Sequence, residues 1–235
     1  MGEVPLEGLA AIWAPVRTLA SVAQGRRVLL AFGVVALYAA LSLISSSIVV
    51  FGGLMQTQFE AGGAELPPEF EDFFVYIEVF SLIFAVVYPF VSWLLVSGLM
   101  HLVTRFFGGT GPFSGMLAAV GVAHVALVIS SVVGILLTGL QIALESRNVA
   151  AESPATIAIG GLSSLLGLAA LGWFVVLVVI GAAFARRVGY GESAGSCAIS
   201  CASCVGLILV VVVVFAVLIG MLIGAVGSAD PLRGL

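Results

Sequence analysis

Five long apolar stretches dominate this sequence and constrain what the chain can fold into. A helix crosses a bilayer with about 20 mostly apolar residues, because the hydrocarbon core is about 30 Å thick and each residue rises about 1.5 Å. Four stretches contain no Asp, Glu, Lys or Arg, and the second carries only Glu78 and Arg105 near its ends. The sequence therefore predicts an all-α, polytopic membrane helix bundle with about five transmembrane helices. The predicted spans are residues 28–51, 75–106, 116–144, 156–185 and 197–226.

The composition supports lipid, and not water, as the main surroundings of these helices. Hydrophobic residues make up 62% of the chain and charged residues 9%, whereas a soluble domain has about 25% charged residues. The net charge of −4 argues against a nucleic-acid partner. We expect a multi-pass protein of the cell membrane whose first partner is the lipid bilayer.

The second stretch contains Pro89 and can be read in two ways. It is either two short spans or one long helix that the proline kinks. Neither half is long enough to cross the hydrocarbon core, and no turn residues surround the proline. Membrane helices also tolerate proline. We therefore predict one long, kinked or tilted helix.

The distribution of arginine predicts the orientation, since cytoplasmic loops carry an excess of basic residues. With five spans, six arginines fall on one side and two on the other. The N-terminus is then inside, and the odd number of spans places the C-terminus outside. The six are Arg17, Arg26, Arg27, Arg105, Arg186 and Arg187, and the two are Arg147 and Arg233.

Residues 1–27 form a separate N-terminal segment, followed by the membrane domain 28–228 and a short tail, 229–235. In the N-terminal segment, apolar residues recur at spacings of three and four, which is typical of one face of a helix. The segment is interpreted as an amphipathic helix in the membrane interface, or alternatively as a packed helix that caps the bundle. The apolar residues are Leu6, Leu9, Trp13, Val16 and Ala20.

Three ionisable residues in or near the spans are candidate functional residues. His124 lies in the body of the third span, where ionisable groups are rare and often functional, although a histidine there can also simply bond a neighbouring helix. His101 is one turn from Arg105, and Glu78 is near the outer end of the second span. Both are expected to reach the interface.

Three cysteines, Cys197, Cys201 and Cys204, share one face at the start of the fifth span. Their C-x3-C-x2-C spacing is also that of an iron–sulfur cluster motif. That motif belongs to a loop in a soluble α/β barrel, whereas here it opens an apolar helix. Packing of small residues is the favoured interpretation, with metal binding or covalent modification as alternatives.

Small residues recur every four positions in the third, fourth and fifth spans. Such stripes allow close helix packing in lipid, and self-association of the protein through them is an alternative interpretation. They are Ser130, Gly134 and Thr138; Ser163 and Gly167; and Ala216, Gly220, Gly224 and Ser228. No H-E-x-x-H or G-x-S-x-G motif occurs. We therefore expect no enzyme and no catalytic, cofactor-binding or metal-binding residues.

Several short motifs in the loops and spans form a pattern along the chain. They are the turn Phe-Gly-Gly-Thr-Gly-Pro-Phe at 107–113, the small-residue run at 117–123, Trp173, Arg186-Arg187, the turn at 189–193, Ala194 and Pro15. These motifs and the order of the spans resemble the Yip1 family of five-span membrane proteins. The resemblance implies a five-helix bundle and a role in membrane organisation or trafficking-like processes. Eukaryotic members engage small GTPases through a long N-terminal region, whereas about 25 residues precede the first span here, as in a prokaryotic-type member.

Two hypotheses for the function follow. The first is a non-enzymatic scaffold that shapes membrane or recruits other membrane proteins. It rests on the packing stripes, the N-terminal segment and the scarcity of buried charge. The alternative is a small-solute transporter or channel with a polar site near His124, favoured by that residue and by the Pro89 break.

Overall fold

The computed structural model describes residues 4–52, 71–145, 153–203 and 206, and every regular element among them is an α-helix. The all-α prediction is therefore confirmed for this part of the chain. The helices are α1 (Val4–Trp13), α2 (Pro15–Gly25), α3 (Val28–Phe51), α4 (Glu71–Phe106), α5 (Phe113–Ala123), α6 (Val125–Glu145) and α7 (Pro154–Arg186). Residues 190–203 form the described part of a further helix, α8.

Four spans among the described residues are long and apolar enough to cross a membrane. They are Val28–Phe51, Val75–Phe106, Phe113–Leu144 and Pro154–Arg186. The first two coincide with their predicted bounds, the third begins three residues earlier than predicted, and the fourth begins two residues earlier and ends one residue later. The predicted fifth span, 197–226, lies mostly outside the described residues. The total number of spans and the orientation therefore stay predictions.

The region around Pro89 is one continuous helix, α4, and not two. Pro89 is buried, and the hydroxyl of Ser92 donates a hydrogen bond of 3.0 Å to its carbonyl. Proline removes one main-chain donor, so the carbonyl of Ala85, four residues earlier, loses its usual helical partner. The hydroxyl of Ser92 bonds to the carbonyl of Pro89 itself, which adds a contact in the turn that follows the proline.

The third span is interrupted at His124, where sequence periodicity predicted an unbroken helix. The His124 amide bonds to the carbonyl of Gly121, 3.2 Å away and three residues back. Its ring Nδ1 forms a hydrogen bond of 2.9 Å with the carbonyl of Val120, four residues back. The ring thus occupies the acceptor that the main chain would normally use. The span continues as α6, since the amide of Val128 bonds to the His124 carbonyl.

The short helix α5 is the centre of the bundle, and α2, α3, α4 and α7 all pack on it. Its close contacts depend on small residues. A Cβ on Gly121 would lie 2.5 Å from Cβ of Ala31 in α3, and one on Gly181 in α7 would lie 2.8 Å from Cβ of Ala119. Helix backbones that approach so closely gain van der Waals contact, which stabilises membrane helix packing.

Two predicted small-residue stripes lie away from these close contacts. A Cβ added to Gly134 in α6 or to Gly167 in α7 would have no neighbour within 4 Å. The stripe of the fifth span lies outside the described residues. The close contacts at Gly121 and Gly181 thus involve glycines outside the predicted stripes, although Gly121 belongs to the small-residue run 117–123.

The N-terminal segment is two helices, because Pro15 separates α1 from α2. Proline has no amide hydrogen and disfavours helical geometry in the preceding residue, and Ala14 leaves the helical region with a ψ of 59°. Leu19, Val22 and Ala23 are buried against the bundle. Trp13 is 87% exposed. The segment therefore combines a packed face with an exposed apolar one, and its place in the interface stays a prediction.

Helix α7 is packed very unevenly along its length. Leu177 and Val178 are buried, as are most residues from there to Arg186. Leu165 and Leu168, about two to three turns earlier, are 66% and 67% exposed. The half of α7 that ends at Arg186 is thus embedded in the bundle, and the half that begins at Pro154 is much more open.

Candidate functional site

The most highly connected side chain at the end of the bundle is that of Arg186. It is 2% exposed although it carries a charge. Its Nε donates to the hydroxyl of Thr104, 3.1 Å away, and its Nη2 donates to the carbonyl of Gly109. The carbonyl of Arg186 accepts from the amide of Thr110 at 3.0 Å. One residue therefore joins the end of α4, the loop at 107–112 and the end of α7.

Glycine in this loop is required by how closely the backbones approach. A Cβ on Gly111 would collide with the carbonyl oxygen of Ala185, and one on Gly109 would lie 2.8 Å from the carbonyl oxygen of Thr104. Gly108 has a φ of 81°, a left-handed conformation that favours glycine. The Gly-Gly-Thr-Gly sequence thus lets the loop lie flat on the end of α7.

The charge of Arg186 has neutral hydrogen-bond partners, a hydroxyl and a carbonyl. Helix carboxyl ends supply further stabilisation, since their free carbonyls carry partial negative charge. Both α4 and α7 end beside this guanidinium. Arg105 directly follows Thr104, which accepts a hydrogen bond from Arg186, so a second positive charge lies near the first. This end of the bundle therefore concentrates positive charge.

Five arginines meet at this end, which we call the basic end: Arg26, Arg27, Arg105, Arg186 and Arg187. Contacts around the start of α5 bring their helices together. A Cβ on Gly115 would lie 2.9 Å from the carbonyl oxygen of Ala23 in α2 and 3.8 Å from Cβ of Ala185 in α7. The helices α2 and α7 stop here because Arg26 and Arg187 adopt left-handed conformations, with φ of 50° and 58°.

The candidate residue His101 lies at the basic end, and Glu78 does not. The ring of His101 meets that of Phe113 edge to face, with centroids 5.2 Å apart. Its Nδ1 is buried and has no hydrogen-bond partner. Glu78 lies 23 residues earlier on α4, about 35 Å away along the helix. The structure therefore does not bring these two predicted residues together.

The third candidate, His124, is buried between aromatic rings. Its ring centroid is 5.0 Å from that of Phe174, at an interplanar angle of 72°, and 5.9 Å from that of Tyr38. The hydrogen bond to the carbonyl of Val120 requires a proton on Nδ1, which leaves Nε2 as an acceptor in the neutral ring. This arrangement fixes the local helix break and leaves one lone pair available.

The cysteines are described in part. Cys197 is buried and Cys201 is exposed, and both are free thiols. Cys204 lies outside the described residues. Within the described ranges, no group of three His, Cys, Asp or Glu side chains could hold a metal ion. The nearby hydroxyl of Ser193 bonds to the carbonyl of Val179 at 2.7 Å and fixes the start of α8 on α7.

Sequence reasoning gave no functional role to Thr104 or Trp93, and it used Arg186 as a topology signal and as part of the Yip1 resemblance. Trp93 donates from Nε1 to the carbonyl of Leu117 at 2.9 Å and so attaches α4 to α5. A signal for the arginine was present, because a basic pair ended one predicted span while a loop of small residues followed another. Nothing in the sequence indicated that the two would touch.

These observations define a class: an integral membrane protein built as a helix bundle, with a basic, glycine-rich junction at one end. A family model described as the Yip1 domain matches residues 10–215. The chain belongs to the Yip1 family, which is a membrane protein family not known as enzymatic.

One similar protein is the uncharacterized protein MJ0794 of Methanocaldococcus jannaschii. It is 28% identical over 86 residues, which cover 37% of this chain. The match spans 57% of that protein's length. No solved structure matches the chain.

Proposed function

We propose that this protein is a non-enzymatic scaffold of the Yip1 type, which organises the cell membrane by holding other membrane proteins or copies of itself. The observation that carries the proposal is the junction around Arg186. It fixes the ends of α4 and α7 and the loop between α4 and α5. A scaffold needs a surface of constant shape, and a buried guanidinium between helix ends provides one.

The surroundings of His124 also favour a scaffold. The ring packs on Phe174 and Tyr38 and bonds to its own helix. A solute pathway normally presents several polar groups to a water-filled cavity. Aromatic packing on the ring of His124 is more typical of a structural position.

A pull-down of the tagged full chain from native membranes tests the scaffold role. Wild type is compared with Gly111→Ala, which forces the loop away from Ala185, and with Gly134→Ala, whose Cβ meets nothing within 4 Å. We expect a defined set of partners with wild type and Gly134→Ala and a reduced set with Gly111→Ala. Recovery of no partner, together with solute flux in vesicles, would contradict the proposal.

A second candidate is transport of a small solute, and the interruption of the third span favours it. Broken helices often form transporter binding sites, since they free main-chain groups. At His124 the carbonyl of Val120 is already taken by the ring, so Nε2 is the group that could meet a solute. Flux into liposomes that is lost in His124→Phe would support transport, whereas wild-type vesicles as tight as protein-free ones would exclude it.

A further inference from the structure

The basic end has features that neither the scaffold role nor bundle packing explains. Arg26, Arg105 and Arg187 are all exposed, and they extend from three different helices around the start of α5. Arg105 directly follows Thr104, the hydrogen-bond partner of the buried Arg186, so like charges are held near one another. Like charges at close range are unfavourable unless an anion offsets them.

The acidic residues near this end are few. Among residues whose side chains the structure describes, Glu192 is the carboxylate at this end of the bundle. It stands three residues after Gly189 and lies against it, the arrangement in which a glutamate caps the start of a helix. One capping carboxylate cannot offset the arginines gathered here. The junction thus keeps a net positive charge.

Exposed aromatic residues lie on the same helix ends as these arginines and at the start of α5. Phe106 is 89% exposed and directly follows Arg105, and Tyr190 is exposed three residues after Arg187. Phe113 is exposed at the start of α5. Tyrosine is one of the side chains that collect where a membrane protein meets the headgroup region, and exposed phenylalanines offer apolar contact to acyl chains. Apolar rings beside guanidinium groups therefore match a molecule with an acyl part and an anionic headgroup better than a free ion.

We propose that the basic end binds the phosphate of an anionic lipid headgroup, with Arg105 and Arg187 as direct ligands and Arg26 at the edge of the site. Guanidinium groups form paired hydrogen bonds with phosphate oxygens. Arg186 is a positioning residue, because its donors hold Thr104 and Gly109 and thereby set the distance between α4 and α7. This inference does not depend on the scaffold role.

The test titrates phosphatidylglycerol into the full chain in a nonionic detergent and counts retained lipid by native mass spectrometry. Phosphatidylcholine with the same acyl chains is the comparison lipid. We expect tighter retention of phosphatidylglycerol. An arginine near a membrane contributes about fivefold to anionic lipid binding, so Arg105→Gln and Arg187→Gln are each expected to weaken retention by about that factor.

Arg17→Gln is the matched control. Arg17 is exposed on α2 and lies nine residues before Arg26, the residue that follows α2. This separation is about 13 Å along the helix. It removes the same charge and should leave retention unchanged. Equal weakening in all three variants would overturn the proposal, since any positive charge would then serve. Equal retention of both lipids would also overturn it. Displacement of phosphatidylglycerol by inorganic phosphate would assign the site to a free anion and reject the lipid.

Discussion

At the scale of single residues, this fold depends on missing side chains as much as on present ones. Gly121 allows α5 to touch α3 at Ala31 and leaves room for the indole of Trp93, whose Nε1 lies 2.9 Å from the position a Cβ would take. Lipid is as apolar as the helices, so no hydrophobic effect drives the helices together in a membrane. Close van der Waals packing of this kind stabilises their association instead. An added methyl group at this position would therefore separate two helices.

The pair Gly121→Ala and Gly134→Ala tests this. Both change a helical glycine in the third span, but the new Cβ meets Ala31 at 2.5 Å in the first and has no neighbour within 4 Å in the second. Overpacking a tight contact costs about 1–3 kcal/mol, whereas alanine improves helix propensity by up to about 1 kcal/mol. Thermal unfolding in detergent should show a lower midpoint for Gly121→Ala only. If both variants unfolded at a lower midpoint, the result would contradict the close contact between Gly121 and Ala31.

At the scale of elements, the sequence predicted the spans well and their contacts poorly. The apolar run from Val28 to Phe51 has clear ends, Arg27 and Gly52, so its bounds coincide with α3. The break at His124 was not predictable, because histidine is no helix breaker and the apolar pattern continues on both sides. The separation of α1 from α2 was not predicted, since the segment was interpreted as one amphipathic helix, although Pro15 was a signal for it.

The candidate site illustrates the same limit. The hydrogen bond from Arg186 to Thr104 joins residues 82 positions apart in the chain. Periodicity and composition describe neighbours in sequence, whereas this contact depends on how two hairpins pack. The arginine was recognisable as a charge at the end of a span, but its burial was not.

Helix α2 packs on the bundle with one side and is exposed on the other. Leu19 is fully buried, whereas Val16, nearly one turn earlier, is 49% exposed. If α2 is part of the packed bundle, Leu19→Ala should destabilise the protein by about 2 kcal/mol through lost contacts. Val16→Ala should have little effect. Thermal unfolding in detergent measures both, and equal small effects would indicate a helix that only rests on the membrane surface.

At the scale of the whole molecule, the number of spans decides where the C-terminus lies. Five spans place it opposite the basic end. Alkaline phosphatase folds only in an oxidising compartment outside the bacterial cytoplasm, because it needs disulfides. A fusion after Leu235 is then expected to be active, and a truncated fusion after Gly109 inactive. A green fluorescent protein at the same two positions should give the reverse pattern. Activity on neither fusion, with fluorescence on both, would indicate an even number of spans.

The uneven packing of α7 has a mechanical consequence. The half near Arg186 is held by buried neighbours, while Leu165 and Leu168 face outward in the half that starts at Pro154. Helices respond to a thicker or thinner bilayer by tilting, at a cost of a fraction of a kcal/mol per Å. A helix that is held firmly at one end responds by pivoting or bending about that end, so a change in bilayer thickness is expected to displace the end of α7 at Pro154 more than the end at Arg186.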